Sequence, residues 1–143
     1  YSTSPGFSPL RAFNPVISGN GRFVVFTSDF GDLVANDTNN TNEVFVNDVF
    51  RRDLETGTTQ LISINRTGTG SGSGTPGSDG GTGAGSGSGS SAAMISNDGR
   101  YVVFNSFSSD LVNDDNNGAL DVFVRDVTSG FTSLISFIPD ETN

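Results

Sequence analysis

Apolar residues occur in short runs along the chain, and each run ends at Gly, Asn, Asp or Ser residues that favour turns. No stretch places apolar residues at the 3.6-residue period of an amphipathic helix. The runs 22–26 and 100–104 are continuously apolar after an initial Arg, which predicts strands that are covered on both faces. The pattern therefore predicts an all-β protein.

The runs belong to two copies of one internal repeat. The copies align as 15–34 over 93–112, with 11 identities in 20, and as 48–63 over 121–136, with 10 identities in 16. Each copy predicts four strands. These are 13–17, 22–26, part of 44–54 and 58–64 in the first copy, and 92–95, 100–104, 121–127 and 131–137 in the second.

Turn residues separate the predicted strands. Asn20-Gly21 and Asp98-Gly99 predict two-residue type I′ hairpins, because that turn needs positive φ at both of its central residues. Between the copies, 22 of the 25 residues in 67–91 are Gly, Ser or Thr, which is the composition of a flexible linker. The predicted organisation is an arm over 1–12, a repeat over 13–66, the linker over 67–91, and a repeat with a C-terminal tail over 92–143.

Two strings in the second copy resemble a known repeat. They are Ile-Ser-x-Asp-Gly-Arg-Tyr-Val-Val-Phe at 95–104 and Asp-x-Asn-x-x-x-Asp-Val-Phe-Val-Arg-Asp at 115–126, and they resemble the WD-like repeat of TolB-type β-propellers. The first copy is similar, with Asn20 in place of the Asp of the turn. The resemblance implies two four-stranded antiparallel propeller-type blades joined by the Gly/Ser/Thr-rich connection.

The number of repeats matters more than their type. Propellers close with about four to eight blades, and an array of only two leaves an apolar face uncovered at each end. Copies of this chain could cover those faces, forming a ring if the rotation closes and a filament if it does not. Alternatively, the two repeats are part of a longer propeller.

Composition narrows the possible chemistry. The 143 residues include 16 acidic residues against 7 Arg and no Lys, for a formal charge of −9, which argues against nucleic acid and anionic membranes as partners. The absence of His, Cys, Lys and Trp removes imidazole, thiol and Schiff-base catalysis and the usual zinc ligands. No apolar run approaches the ~18 residues that suggest a transmembrane helix. Carboxylates and hydroxyls remain, and they suit calcium binding or hydrolysis by two carboxylates.

The acidic residues concentrate in a loop of each copy, over 35–47 and 113–120. Alternating Asp and Asn residues offer many oxygens to one point, and calcium takes six to eight oxygen ligands. The candidate ligands are Asp110, Asp114, Asp115, Asn117 and Asp121 in the second copy and Asp37, Asn39, Glu43 and Asp48 in the first. In the alternative interpretation these residues only form turns, because Asp and Asn bond their own backbone.

Other carboxylates have a simpler interpretation. Asp53 and Asp126 occur in both copies, which predicts a structural ion pair or hydrogen bond within each repeat. A pair of carboxylates could also hydrolyse glycosides. Because the chain has no Trp and two Tyr for stacking on sugars, this enzymatic hypothesis ranks last and we expect no catalytic residues.

Further residues are candidates for assembly and modification. Phe7, Leu10 and Phe13 could anchor the N-terminal arm in a neighbour, and Phe137-Ile138 could add to a neighbour's sheet. Asn36, Asn39 and Asn65 fit the N-glycosylation pattern, and the Ser/Thr tract could carry O-glycans. The chain begins at Tyr1 rather than Met, and we expect an extracellular or cell-surface protein.

Two hypotheses follow. In the first, the chain is a structural protomer that assembles head to tail with its own copies, with calcium in the acidic loops. In the second, it is a calcium-binding module of a longer secreted propeller that binds a protein or a glycan.

Overall fold

The computed structural model describes residues 12–39, 46–73 and 90–136. Within them the chain forms eight strands and no helix. The strands are β1 (Ala12–Ile17), β2 (Phe23–Ser28), β3 (Asp48–Asp53), β4 (Thr58–Leu61), β5 (Ser90–Ile95), β6 (Tyr101–Ser106), β7 (Asp121–Asp126) and β8 (Phe131–Leu134). They make two antiparallel four-stranded sheets, with sequential order in each: β1–β4 is sheet 1 and β5–β8 is sheet 2. The predicted all-β class is confirmed.

The two sheets share one register. Phe26 lies opposite Phe50 in sheet 1, and Phe104 lies opposite Phe123 in sheet 2. Both first strands shift register at the same place, between Phe13 and Val16 in β1 and at the matching point of β5. Each position of one sheet therefore has a structural equivalent in the other.

The β1–β2 and β5–β6 connections differ from the prediction. Gly21 has a φ of 72°, but Asn20 is not among the residues with positive φ, so the expected type I′ turn is wrong. The Asn20 Oδ1 atom instead accepts hydrogen bonds from the Ser18 hydroxyl and from the Arg22 backbone N–H. Asp98 repeats this arrangement in sheet 2. The side chain organises a longer connection, in which only Gly needs the left-handed conformation.

Alternation along the strands gives each sheet two faces. We call front the face of Val25 and Val49 in sheet 1 and of the equivalent Val103 and Val122 in sheet 2. We call back the opposite face. The front of sheet 1 packs on the back of sheet 2, and both contribute to one core. Its buried members are Val25, Val49, Ile62, Ala93, Val102, Phe104, Leu111 and Phe123.

The strands β2 and β6 do not share the predicted double coverage. Val25 in β2 is fully buried, whereas its equivalent Val103 in β6 is 38% exposed. The reason is that sheet 2 covers the front of sheet 1, while no sheet of the described chain covers the front of sheet 2.

No helix among the described residues is long and apolar enough to cross a membrane.

Candidate functional site

The contact between the sheets is built by side chains that the repeat places on matching positions. At its polar end, the Asn20 N–H donates to the Asn97 carbonyl over 2.9 Å, and Arg51 Nη1 donates to the Gly99 carbonyl over 2.6 Å. The guanidinium of Arg51 also lies 4.3 Å from the centre of the Phe23 ring. Hydrogen bonds thus join sheet 1 to the β5–β6 connection of sheet 2.

Phe23 fits over Gly99 in a close contact. A Cβ atom at Gly99 would lie 2.0 Å from the Phe23 ring, so no larger residue fits without a shift. The equivalent Gly21 in sheet 1 has nothing within 4 Å of its Cβ position. Gly99 therefore contacts an aromatic ring from the other sheet, whereas the equivalent Gly21 has open space in the same position.

The front of sheet 2 is an exposed apolar surface. Met94 is 67% exposed and Ile135 is 53% exposed, while Ile62, the equivalent of Ile135 in sheet 1, is 1% exposed. Tyr101, the equivalent of Phe23, lies on this surface too. We call Met94, Tyr101, Val103 and Ile135 the front patch. A contiguous apolar surface of this kind is typical of an interaction site.

The back of sheet 1 is the complementary face and is exposed in part, although Phe50 and Leu61 on it are buried. Ile17 and Leu54 are exposed, whereas their equivalents in sheet 2, Ile95 and Val127, pack against the core. Leu33 is also exposed, although its equivalent Leu111 is buried. We call Ile17, Leu33 and Leu54 the back patch.

The acidic loops form a second candidate site, at the start of the third strand of each sheet. Asp48 and Asp121 occupy the first positions of β3 and β7, and both are buried. One oxygen of each accepts a 2.5 Å hydrogen bond from a serine hydroxyl, Ser63 or Ser136. The Oδ2 atom of each has no hydrogen-bond partner among the described residues.

A loop side chain adds further buried oxygens beside each strand start. Asp115 is only 3% exposed, and neither of its carboxylate oxygens has a hydrogen-bond partner in the described structure. In sheet 1, Asn39 donates to the Gly72 carbonyl over 2.9 Å, while its buried Oδ1 atom has no partner there. Both sites therefore present buried acceptor oxygens that make no hydrogen bond in the described structure.

The electrostatics of these carboxylates reflect their burial. Burial raises the pKa of Asp48 to about 7; hydrogen bonding by the Ser63 and Asn39 side chains opposes this rise, and the nearby Asp37 and Asp110 carboxylates add to it. Burial also raises the pKa of Asp115, with a further contribution from Asp121, and the nearby Asn117 backbone N–H opposes this rise. Like charges thus lie close together in both loops, at a cost to the ionised protein.

The other candidate ligands are placed differently. Asp110 accepts a 2.8 Å hydrogen bond from the Ser73 N–H, and Asp114 is exposed. Asn117 accepts from the Ala119 N–H over 2.8 Å, which is the turn-forming role of the alternative interpretation. Asp37 accepts from the Ser71 hydroxyl over 3.3 Å. In the part of the chain that the structure describes, no three acidic side chains converge on one point.

Several sequence candidates lie outside the described residues. These are Glu43, Phe7, Leu10, Phe137 and Ile138. Phe13 lies in β1 opposite Thr27 and is half-buried in its own sheet. Among the glycosylation candidates, Asn39 uses its amide nitrogen in the bond to Gly72, whereas Asn36 and Asn65 are half-buried.

The predicted ion pair within each repeat is confirmed. Arg22 binds Asp53 through two hydrogen bonds of 3.1 and 2.7 Å, and Arg100 binds Asp126 through two of 3.0 and 2.6 Å. The arginines hold the pKa of both aspartates below the ordinary value of 3.8. Arg22 also contacts Glu55 at 2.7 Å. These groups stabilise the sheets.

A cleft of about 270 Å³ lies between β4 and the third strand of sheet 2. Its lining includes Leu61, Ile62 and Val127, with the Arg125 guanidinium as the charged group. None of the described residues that line it carries a carboxylate, so the two-carboxylate hypothesis gains no support there.

The sequence predicted an uncovered apolar face at each end of the array, but it did not identify the residues of the front and back patches and placed the candidate assembly residues in the terminal segments. A usable signal existed in the repeat. Val25 and Val103 occupy equivalent positions in the repeat. If Val25 is buried between the two sheets, Val103 is exposed unless another repeat packs on it. The sequence does not say which face of a repeat meets the next one.

The comparisons with known proteins support the fold. No family model matches the chain, and no curated protein matches it. Among solved structures, the β-propeller domain of the Trilobed protease from Pyrococcus furiosus, which is described as having an open velcro topology, matches with a TM-score of 0.50 and 13% sequence identity. The match covers 88% of this chain and 27% of that chain. At this identity the likeness shows an all-β, propeller-like fold alone.

Proposed function

We propose that this chain is a non-enzymatic structural protomer that assembles head to tail with its own copies. In the assembly, the front patch of one copy packs on the back patch of the next. The observation that carries the proposal is the equivalence of this contact with the one inside the chain, where the front of sheet 1 packs on the back of sheet 2.

Individual contacts can be specified from that equivalence. Tyr101 of one copy would lie over Gly21 of the next, as Phe23 lies over Gly99. Met94 would take the position of Val16, which packs against the core. Full burial of a Val, Ile or Met side chain contributes about 1.5–3 kcal/mol, so a few such residues supply useful affinity. The contact between copies lacks the arginine hydrogen bond that Arg51 makes inside the chain, because Val124 occupies the equivalent position in sheet 2.

The contact uses different surfaces on its two partners. Such a heterologous interface produces a filament or a ring rather than a closed dimer. The proposal includes the WD-like, TolB type of the repeat, which the motifs at 95–104 and 115–126 support. It also includes an extracellular or cell-surface location, with glycans on Asn36 or Asn65 or on the Ser/Thr tract.

In the second candidate function, this chain is a binding module within a longer propeller. This function is favoured by the match to 27% of a larger propeller-containing chain. The neighbouring blades would then come from the same polypeptide, and they would cover the same two patches. A protein or glycan partner would bind on the loop side.

Sedimentation velocity and negative-stain microscopy over a range of concentrations test the first proposal. We expect filaments or rings from the unmodified chain and loss of assembly in Met94→Lys, at least ~10-fold in affinity. Phe131→Lys is the matched control. It alters an exposed residue of the same face, but its equivalent Thr58 stays exposed in the contact inside the chain.

A mixing experiment tests the head-to-tail direction. Met94→Lys alters the front patch and Leu54→Lys alters the back patch, so each variant alone should remain monomeric. An equal mixture should form a one-to-one dimer, because each chain supplies the patch that the other lacks. A monomeric unmodified chain at all concentrations, or a mixture that stays monomeric, would contradict self-assembly and leave the second candidate.

A further inference from the structure

The buried carboxylates at the start of β3 and β7 are not used by the proposed assembly. In sheet 2, three oxygens of two residues lack a hydrogen-bond partner among the described residues: both of Asp115 and the Oδ2 atom of Asp121. Both residues are more than nine-tenths buried. A buried carboxylate without donors is costly unless it is protonated or binds a cation.

Sheet 1 repeats the arrangement with other residues. The Oδ2 atom of Asp48 and the Oδ1 atom of Asn39 are buried without a hydrogen-bond partner in the described structure. Asp37, in the same loop as Asn39, lies near enough to raise the pKa of Asp48. No described guanidinium is among the groups that shift the pKa values of Asp48 and Asp115. Each sheet thus leaves at least one buried carboxylate oxygen without a hydrogen bond in the described structure.

We propose that each sheet binds a divalent cation of the calcium type where the acidic loop meets the third strand. The ligands are Asp115 and Asp121 in sheet 2, and Asp37, Asn39 and Asp48 in sheet 1. Hard oxygen ligands select calcium or magnesium over softer metals.

Calcium fits these sites better than magnesium. The loops before the third strand differ in length, 35–47 against 113–120, so they need not present the same ligand geometry. Calcium accepts irregular geometry and water or carbonyl ligands beside the side chains, whereas magnesium requires a near-ideal octahedron. The cation would pin each loop to the strand that follows it.

Asp115→Asn and Asp48→Asn are the informative variants, because an amide keeps the shape and removes one charge. Asp114→Asn is the matched control, since Asp114 is the exposed neighbour of Asp115. The protein is treated with a chelator and titrated with CaCl₂ by calorimetry. Thermal unfolding is followed with and without about 10 mM CaCl₂. Both are repeated in the Met94→Lys chain, so that assembly does not contribute.

We expect two calcium ions per chain, and a rise of about 5 °C or more in Tm with calcium. In each informative variant, the calcium affinity of the altered site should fall at least ~10-fold. The titration should then show one bound ion fewer than in the unmodified chain. Without calcium, these variants should unfold at a higher temperature than the unmodified chain, because one of two neighbouring like charges is gone and the charge removed is a buried one.

Three results would overturn the proposal. They are no calcium binding by the unmodified chain, an unchanged stoichiometry in both informative variants, or an equal response to MgCl₂. The Asp114→Asn control should match the unmodified chain in every measurement, and a loss of one ion in that control would also move the site away from Asp115. None of these results depends on whether the chain assembles.

Discussion

Sheet 1 and sheet 2 have the same strands and register but meet different surroundings. The front of sheet 1 is buried by sheet 2, whereas the front of sheet 2 is exposed. On the backs, Ile17 and Leu54 of sheet 1 are exposed while the equivalent Ile95 and Val127 of sheet 2 pack on the core. Val25 and Val103 occupy equivalent positions, with 0% and 38% of their surface exposed. The difference shows that burial in a repeat protein depends on the neighbouring repeat as much as on the residue.

Replacing the equivalent phenylalanines gives the largest expected effect. Phe104 is fully buried between the sheets and should lose about 3–5 kcal/mol of unfolding free energy on Phe104→Ala. Phe26 is only half-buried, and Phe26→Ala should cost less by at least about 1 kcal/mol. Urea denaturation in the Met94→Lys background, which should keep the chain monomeric, measures both. Equal costs there would break the comparison between the two faces.

The equivalent glycines give the next effect. Both have positive φ, so an alanine at either position costs about 1–2 kcal/mol in backbone strain. Gly99→Ala must also displace the Phe23 ring, whereas Gly21→Ala meets open space, so Gly99→Ala should be the more destabilising in monomers. In assembly assays, Gly21→Ala should weaken association. Full assembly by that variant would show that Tyr101 does not occupy the position over Gly21.

Acid should affect both sheets alike, and this is the smallest effect. The pKa values of Asp53 and Asp126 are lowered by their arginines. Their stabilising contribution is therefore complete above the ordinary aspartate value of 3.8 and is lost as the pH falls below it. Asp126→Asn and Asp53→Asn should each flatten the acid limb of a plot of stability against pH. A flattening in one variant alone would show that the pairs are not equivalent.

The fold could be predicted far into its detail because it depends on local signals. Repeat alignment located two sets of four strands, and the Gly residues at 21 and 99 marked the hairpins correctly. The predicted turn type was wrong, since hydrogen bonds accepted by the Asn20 side chain organise a connection in which Asn20 has no positive φ. Such a bond depends on three-dimensional placement, which propensity does not describe.

The candidate sites could be predicted only in part. The acidic loops were visible as Asp and Asn at close spacing, but nothing in the sequence separated the buried Asp115 from the exposed Asp114 beside it. Nor did it show that Asn117 serves the turn. Neighbouring loop residues point in different directions, and their burial is decided by the strands against which the loop closes.

The sequence by itself determined the all-β class, the twofold repeat, the negative charge and the absence of His, Cys, Lys and Trp. These follow from composition and from short-range periodicity. The tertiary structure alone decided which face of each sheet is covered and which carboxylate oxygens are left without donors. Both depend on contacts between residues far apart in the chain, such as Phe23 with Gly99, because burial is a property of the packed assembly.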